Sequence, residues 1–322
     1  MSVLSSPWFH DEAKAFEYLE SIVWAAGVTC PHCGTVGGKV YDLSGVRGKP
    51  SVKSPEGALR YGLKKCGDCR KQFTVKVGTV FEHARMPLHK MLQAMHLIVS
   101  SKKGISAHQL SRILEVQYKT AWFLAHRIRE AMRSNDPDQF GLGGGMVEID
   151  ETYIGREPGT EVKQGGHHKL KVLALVDRNT GRSRAMVVDS LRPEQLGPIL
   201  RHNLAVEAKM MTDEAWCYQP FSLRFGGHTT VNHRRGEYVA ADNALIHTNT
   251  IEGYFSIFKR GMRGIYQHCA KKHLHRYLAE FDFRYTFRVA NGFDDRARAV
   301  EGLKGIAGRR LTYRSAGQRQ AA

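Results

Sequence analysis

Four of the six cysteines fall into two CxxC units, Cys30 and Cys33 in CPHCG, and Cys66 and Cys69 in CGDCRKQ. A CxxC turn holds two thiolates at chelating distance, and two such turns brought together by short strands make a tetrahedral sulfur set for Zn²⁺. Strand-like runs do flank them: KVYDL, LRYGLKKC and KQFTVKV. With all four positions filled by protein, such an ion is structural. The plainer alternatives are four unrelated buried cysteines or a redox CxxC. Thirty-two residues separate Cys33 from Cys66, and the Gly/Pro/Ser-rich SGVRGKPSVKSPEG between them reads as an inserted loop. Cys217 and Cys269 read as lone buried thiols.

Three acids further along sit on three separate predicted elements. Asp150 lies in MVEIDETYIGR, whose alternation turns Val147 and Ile149 to one face and Glu148, Asp150 and Thr152 to the other. Asp213 ends the short strand-like run KMMTD. Glu252 falls in the first turn of the helix predicted from HTNTIEGYFSIFKRG, and Lys259 follows seven residues later. The three carboxylates converge if the two strands are neighbours and the helix packs across them. On that helix Glu252, Ser256 and Lys259 share one face, and Ile251, Phe255 and Phe258 share the buried one. Each acid also has a plainer role. Asp150 reads as one of the solvent-facing acids of EIDE, and Asp213 as the cap of a helix beginning EAW. Asn249 and Glu252 read as a capping box. Capping leaves Lys259 without a reason.

The elements that must position these groups follow from periodicity. A helix is expected over residues 9–26, then the cysteine region. Residues 87–132 read as helices: PLHKMLQAMHLIVSS, GISAHQLSRILEV capped by Ser106, and YKTAWFLAHRIREAM. A short helix, a break at residues 115–117 and a basic helix are helix-turn-helix-like, with Lys119, Thr120, Phe123, His126 and Arg127 facing outward to DNA. A plain helical hairpin is the alternative. SNDPDQFGLGGG has turn composition and marks a boundary. Beyond it come a strand, the hairpin KVLALVDRNTGRSRAMVV, the helix PEQLGPILRHNLA with Pro at its start, two strands (KMMTD, HTTVNHRRGEYV) and the Glu252 helix. That order predicts a mixed sheet with helices packed on it. Tyr277, Phe281 and Tyr285 recur every four residues as a buried helix face.

EIDETYIG, TDEAW and HTNTIEGYFSIFKRGMRGIY, behind a CPHC…CGDC ribbon, resemble the transposases of bacterial insertion sequences, and among them the zinc-ribbon-bearing fifteen-ninety-five group. The resemblance runs from about Phe9 to about Arg288 and includes KVGTVFEHARMPLHK. It implies an α+β or α/β multidomain chain. The expected parts are an N-terminal helix over 1–26, a zinc ribbon over 27–80, a helical DNA-binding segment over 81–135, a ribonuclease-H-like (retroviral-integrase-like) DDE core over 145–290 and a basic tail over 291–322. It also implies two Mg²⁺ (or Mn²⁺) ions held by Asp150, Asp213 and Glu252, which cut and join phosphodiesters. Some relatives carry Asn at the third position, so Asn249 stays open beside Glu252, with His247 close by. Lys259, Arg260 and Arg263 are expected on phosphates.

Bulk composition agrees with such a partner. Lys+Arg is 48 against Asp+Glu 31, a net charge of +17, and hydrophobic residues make up 42%, enough for a core. No run approaches the ~20 apolar residues of a membrane span, and the N-terminus shows no basic-then-apolar leader. The expected setting is cytoplasmic and nucleoid-associated, with no membrane. The expected partners are double-stranded DNA (terminal inverted repeats and target) and further copies of the chain on that DNA. Two rivals stand beside this reading: a nuclease of the same fold that cuts without joining, and a DNA-binding regulator or decayed copy with an inactive core.

Overall fold

The computed structural model describes residues 3–52, 54–157, 159–162, 168–213, 215–231, 239 and 243–312. The chain forms two compact units, one made of Met1–Ser101, Ile105–Met132 and Asp294–Ala322, the other of Lys102–Gly104 and Arg133–Phe293.

The first unit opens with α1 (Glu12–Val23), whose N-cap Asp11 accepts from Lys14 N. A small antiparallel sheet follows, β1 (Val40–Asp42), β2 (Lys64–Cys66) and β3 (Gln72–Phe73), in that spatial order. Each CxxC is followed by a left-handed residue that closes the turn: Gly34 at φ +76°, and Arg70 at φ +59°, where a side chain must tolerate the strain. Three helices come next, α2 (Leu88–Ser100), α3 (Ala107–Leu114) and α4 (Tyr118–Ala131). Pro87 cannot cap α2 with a side chain, and Glu12 does so from α1, accepting from Leu88 N and His89 N at 2.7 and 3.1 Å. Ser106 caps α3 as expected, and Glu115 in the left-handed region (φ +53°) makes the break before α4.

The expected basic tail begins instead with a helix, Asp295–Lys304. Asp294 caps it, and Ala299, Leu303 and Ile306 are buried within the first unit. Arg296, Arg298 and Lys304 break up this apolar stripe in the sequence; Arg298 is nonetheless buried and donates to Val99 O. Residues 313–322 lie outside the described residues.

The second unit is built on five strands: β4 (Met146–Ile154), β5 (Leu170–Asp177), β6 (Ser183–Val188), β7 (Lys209–Asp213) and β8 (Gly227–Val231). They lie in the order β6-β5-β4-β7-β8. β4, β5 and β6 pair antiparallel, while β7 joins β4, and β8 joins β7, in parallel. α5 (Pro193–Asn203) precedes β7, and α6 (Asn249–Gly261) and α7 (Lys271–Thr286) follow β8. This is the mixed sheet that the element order predicts, in the ribonuclease-H-like strand order that the resemblance implies. Of the run HTTVNHRRGEYV, residues 232–238 lie outside the described residues.

The sheet is covered on both faces. Val147, Ile149, Leu173, Leu175 and Met210 pack with Leu196 and Leu200 of α5. On the opposite face Val172, Ala174 and Val176 pack with Ile251, Phe255 and Phe258 of α6 and Phe281 of α7. Hence β5 is apolar on both sides, as a doubly covered strand must be. Along β4, Val147 and Ile149 face the α5 side, while Glu148, Asp150 and Thr152 put three polar side chains on the other.

Candidate active site

Sheet register decides where the acids point. Residues opposite each other on neighbouring strands share a face. Asp150 pairs with Ala174, which belongs to the core under α6 and α7, so Asp150 faces that side. The last β4–β7 rung pairs Glu148 with Met211. Asp150 and Asp213 each lie two residues beyond it, so they stand at equivalent places on adjacent parallel strands and on one face. Asp213 ends its strand by accepting from Ala215 N at 2.9 Å, closing a turn there; among the described residues no helix begins beside it.

The electrostatics match the register. Burial pushes the Asp150 carboxyl up to about 8, and the charges of Glu151 and Asp213 push the same way; the Glu151 N–H and the Lys259 ammonium oppose them. Asp213 and Lys259 therefore both act on Asp150. The Glu151 carboxyl is also raised, first by burial, and accepts the buried Tyr218 hydroxyl at 2.7 Å. Burial pushes the Cys217 thiol up to about 12, with Glu151 and Asp213 adding to it. Cys217 is buried as expected, whereas Cys269 is half-exposed.

α6 presents the faces the periodicity implied. Ile251, Tyr254, Phe255 and Phe258 are buried, while Glu252, Ser256 and Lys259 are half-exposed along one side. Lys259 Nζ lies 5.8 Å from the Phe255 ring centroid. Arg260 and Arg263 are exposed beyond it, Arg263 within a π-helical turn, Met262–Tyr266.

The expected capping box does not form. Asn249 is the first helical residue and is exposed; the N-cap is Thr248, which makes no side-chain cap. The helix starts one residue earlier than expected, so Asn249 is not the cap, and Glu252 stands four residues past Thr248 where a capping box needs three. Instead Glu148, fully buried on β4, accepts from Ile251 N at 2.8 Å. Glu148 also pairs with Arg178, which donates to the carbonyls of Leu245 and His247. His247 Nδ1 lies 2.8 Å from Arg178 and 3.4 Å from Glu148. Strand and helix start are thus stitched together through one buried carboxylate. Neither Glu148 nor Arg178 stands out in the sequence: one is a neighbour in the acidic run EIDE, the other opens the RNTGR stretch between two apolar runs. The available signal was that Glu148 shares the Asp150 face.

The cysteine quartet is assembled. Its four Sγ atoms all lie within 4.8 Å of one another, with Cys30–Cys69 and Cys33–Cys66 both at 3.7 Å. Bonds of about 2.3 Å at tetrahedral angles place sulfurs about 3.8 Å apart, so four thiolates here fit zinc and are too far apart for disulfides. Among the described residues this is the only group of three or more His, Cys, Asp or Glu side chains so gathered; the three acids are not closed to that spacing.

On the helical segment, Lys119 and Thr120 are exposed in the first turn of α4. Two companions are not outward. His126 is buried, edge-on to Trp122 with ring centroids 4.3 Å apart. Arg127 is half-buried, donates to Glu82 O at 2.9 Å and stacks over Phe123. α4 is apolar over more of its circumference than a two-helix hairpin needs, because other helices of the unit cover it too.

Residues 142–286 match the ISXO2-like transposase domain, and residues 10–72 match the transposase zinc-ribbon domain. A protein of the transposable element ISH50 of Halobacterium salinarum is 28% identical over 306 residues, spanning 86% of this chain and 91% of its own length. Among solved structures, the catalytic core domain of BIV integrase is 16% identical, covering 43% of this chain and 82% of its own, with a TM-score of 0.26. A simian T-cell lymphotropic virus intasome chain is 15% identical, covering 54% and 63%, with a TM-score of 0.28.

Proposed function

Because the chain belongs to the transposases that join a zinc ribbon to an ISXO2-like domain, we propose that it cuts and joins the ends of an insertion sequence at Asp150, Asp213 and Glu252. The observation that carries this reading is the β4–β7 register, which puts Asp150 and Asp213 each two residues beyond its last pair on adjacent parallel strands, with Lys259 close enough on α6 to oppose the upward shift of Asp150.

An all-oxygen donor set suits Mg²⁺ or Mn²⁺, hard cations that dehydrate reluctantly and keep part of their water. Asp150 and Asp213 would hold such ions, with Glu252 as the third ligand and Asn249, exposed one turn earlier, as the alternative. Ions so held would activate the attacking oxygen and stabilise the leaving one. Lys259, on the side of α6 that bears Glu252, holds a phosphate of the strand to be cut, and Arg260 and Arg263 take phosphates further along. Glu148 fixes the start of α6 and so the place of Glu252. The cysteine quartet holds a structural Zn²⁺ that stabilises the ribbon. Lys119 and Thr120 on α4 contact DNA, and the excess positive charge favours any DNA, with a strong salt dependence. Terminal repeats are the specific partner, and holding two ends together requires more than one copy. Among the described residues no helix is long and apolar enough to cross a membrane.

The test is strand transfer by the full chain with labelled element ends and Mg²⁺. Asp150→Asn, Asp213→Asn and Glu252→Gln should each abolish joining while retaining end binding. Joining that survives Glu252→Gln and is lost in Asn249→Ala would move the third ligand to Asn249. Cutting without joining by wild type would favour the nuclease, and binding without either would favour the regulator.

A further inference from the structure

A cleft of about 400 Å³ opens within the first unit between the segment after the ribbon and the start of α4. Its rim is basic: His83, Arg85 and Lys119 are all exposed. Among the described residues no acid lines it; the nearest in sequence, Glu82, is turned to His83 at 3.4 Å. Its floor is apolar and polarizable, formed by Met86, Met91, Phe123 and Leu124.

The outer wall is held in place. His83 adopts φ +56°, a left-handed conformation uncommon outside glycine, though histidine takes it more readily than most residues. Two cations clamp the backbone on either side of it: Arg127 donates to Glu82 O at 2.9 Å, and Lys76 Nζ donates to Ala84 O at 3.0 Å. Lys76 is pulled below its usual range, chiefly by burial; Glu12 opposes this and the Arg127 charge adds to it. A strained loop pinned by two partly buried positive charges makes a preformed wall with a positive potential behind it.

Paired DNA uses only the rim of such a place. Phosphates can reach Arg85 and Lys119, but stacked bases have no way to a floor of thioethers and an aromatic ring. A ligand that satisfies both parts carries a phosphate and a free π-face. We propose that this cleft receives one unstacked nucleotide of the bound DNA, its base on the Phe123 floor and its phosphates at Arg85 and Lys119. The proposal rests on the DNA-binding part of the proposed function and adds the form of DNA that the helical segment selects.

The experiment uses the zinc-loaded full chain in Mg²⁺-free buffer, where no cutting occurs. The probes are one duplex carrying a single bulged 2-aminopurine and the same duplex with that base paired; anisotropy gives affinity and 2-aminopurine emission reports stacking. The bulged duplex should bind roughly tenfold tighter, in line with one base–aromatic stack, with its emission quenched. Phe123→Leu keeps the apolar volume but loses the flat ring, and should bring the ratio near one. Thr120→Trp, at an exposed lining position, should fill the cleft and bring the ratio near one without touching the core; Phe123→Leu should leave paired-duplex affinity unchanged. Equal wild-type affinities, or a preference that both variants leave intact, would overturn the proposal. So would Thr120→Trp dissolving a self-assembled state with no bulge preference at any stage, which would give the cleft to a second copy. Failure to bind either duplex would sink the DNA-binding reading itself, whereas loss of preference alone would sink only the cleft.

Discussion

Replacing Glu148 tests how the site is held together. Its carboxylate is fully buried, pairs with Arg178 and accepts the Ile251 N–H. Glu148→Met removes the acceptor of a charge-assisted hydrogen bond and leaves the Arg178 guanidinium largely buried without its carboxylate. Breaking a buried pair by removing one partner costs about 3–5 kcal/mol. At about 2–4 °C per kcal/mol for a unit of this size, the melting temperature should fall by roughly 10 °C. Arg178→Met strands the carboxylate instead and should cost somewhat less, because Ile251 N still donates to it. The double variant replaces the pair with apolar groups and leaves mainly one uncapped N–H, so its loss should be at least ~2 kcal/mol smaller than the sum of the singles. Denaturant titration of the four proteins measures this coupling. Additive losses, or a single loss below about 1 kcal/mol, would refute the stitch. In strand transfer, Glu148→Met should lower the joining rate with little change in DNA affinity, because Glu148 acts through the position of α6.

Other consequences follow from the same geometry. The Asp150 carboxyl is raised to about 8 from 3.8, so the native state holds a proton that the unfolded chain has lost between those values. Its contribution to stability in metal-free protein should therefore be complete below about pH 4 and decline as pH rises toward 8. A divalent ion must displace that proton, so Mg²⁺ affinity should rise about tenfold per pH unit up to about 8 and level off above it. Calorimetry in buffers of different ionisation enthalpy should detect the proton released at pH 7; Mg²⁺ binding with no proton release would contradict the assignment. For the ribbon, one Zn²⁺ per chain is expected, and a chelator should expose four thiols and melt the first unit at lower temperature; four thiols that react without chelator would argue against zinc. Lys119→Ala should reduce the slope of log affinity against log salt by about 0.9, the loss of one phosphate contact, and an unchanged slope would remove Lys119 from the interface.

Much of this was legible from residue order. The alternation of Val147 and Ile149 against Glu148, Asp150 and Thr152 correctly separated two faces of β4, and the seven-residue spacing of Glu252 and Lys259 placed both on one side of α6. The CxxC units announced their own geometry because the chelating turn is local. What escaped depends on long-range contacts. Asn249 looked like a cap because capping rules are local, but the carboxylate that meets the helix start comes from Glu148, 103 residues away from Ile251. His126 and Arg127 lie at outward positions only if α4 packs on one partner. The helix Asp295–Lys304 hid for the reverse reason: its arginines and lysine masked a stripe that becomes apolar only once Arg298 is hydrogen-bonded inside the unit.

In the proposed function Asp150 holds the ion that drives cutting and joining. The most direct measurement is strand transfer by Asp150→Cys with Mg²⁺ alone and with Mn²⁺ added. Thiolate is a poor ligand for Mg²⁺ and a better one for the softer Mn²⁺. The expected result is an inactive variant in Mg²⁺ whose joining returns in Mn²⁺, while Asp150→Ala stays inactive in both. Full activity of Asp150→Cys in Mg²⁺, or equal recovery of Asp150→Ala in Mn²⁺, would contradict it.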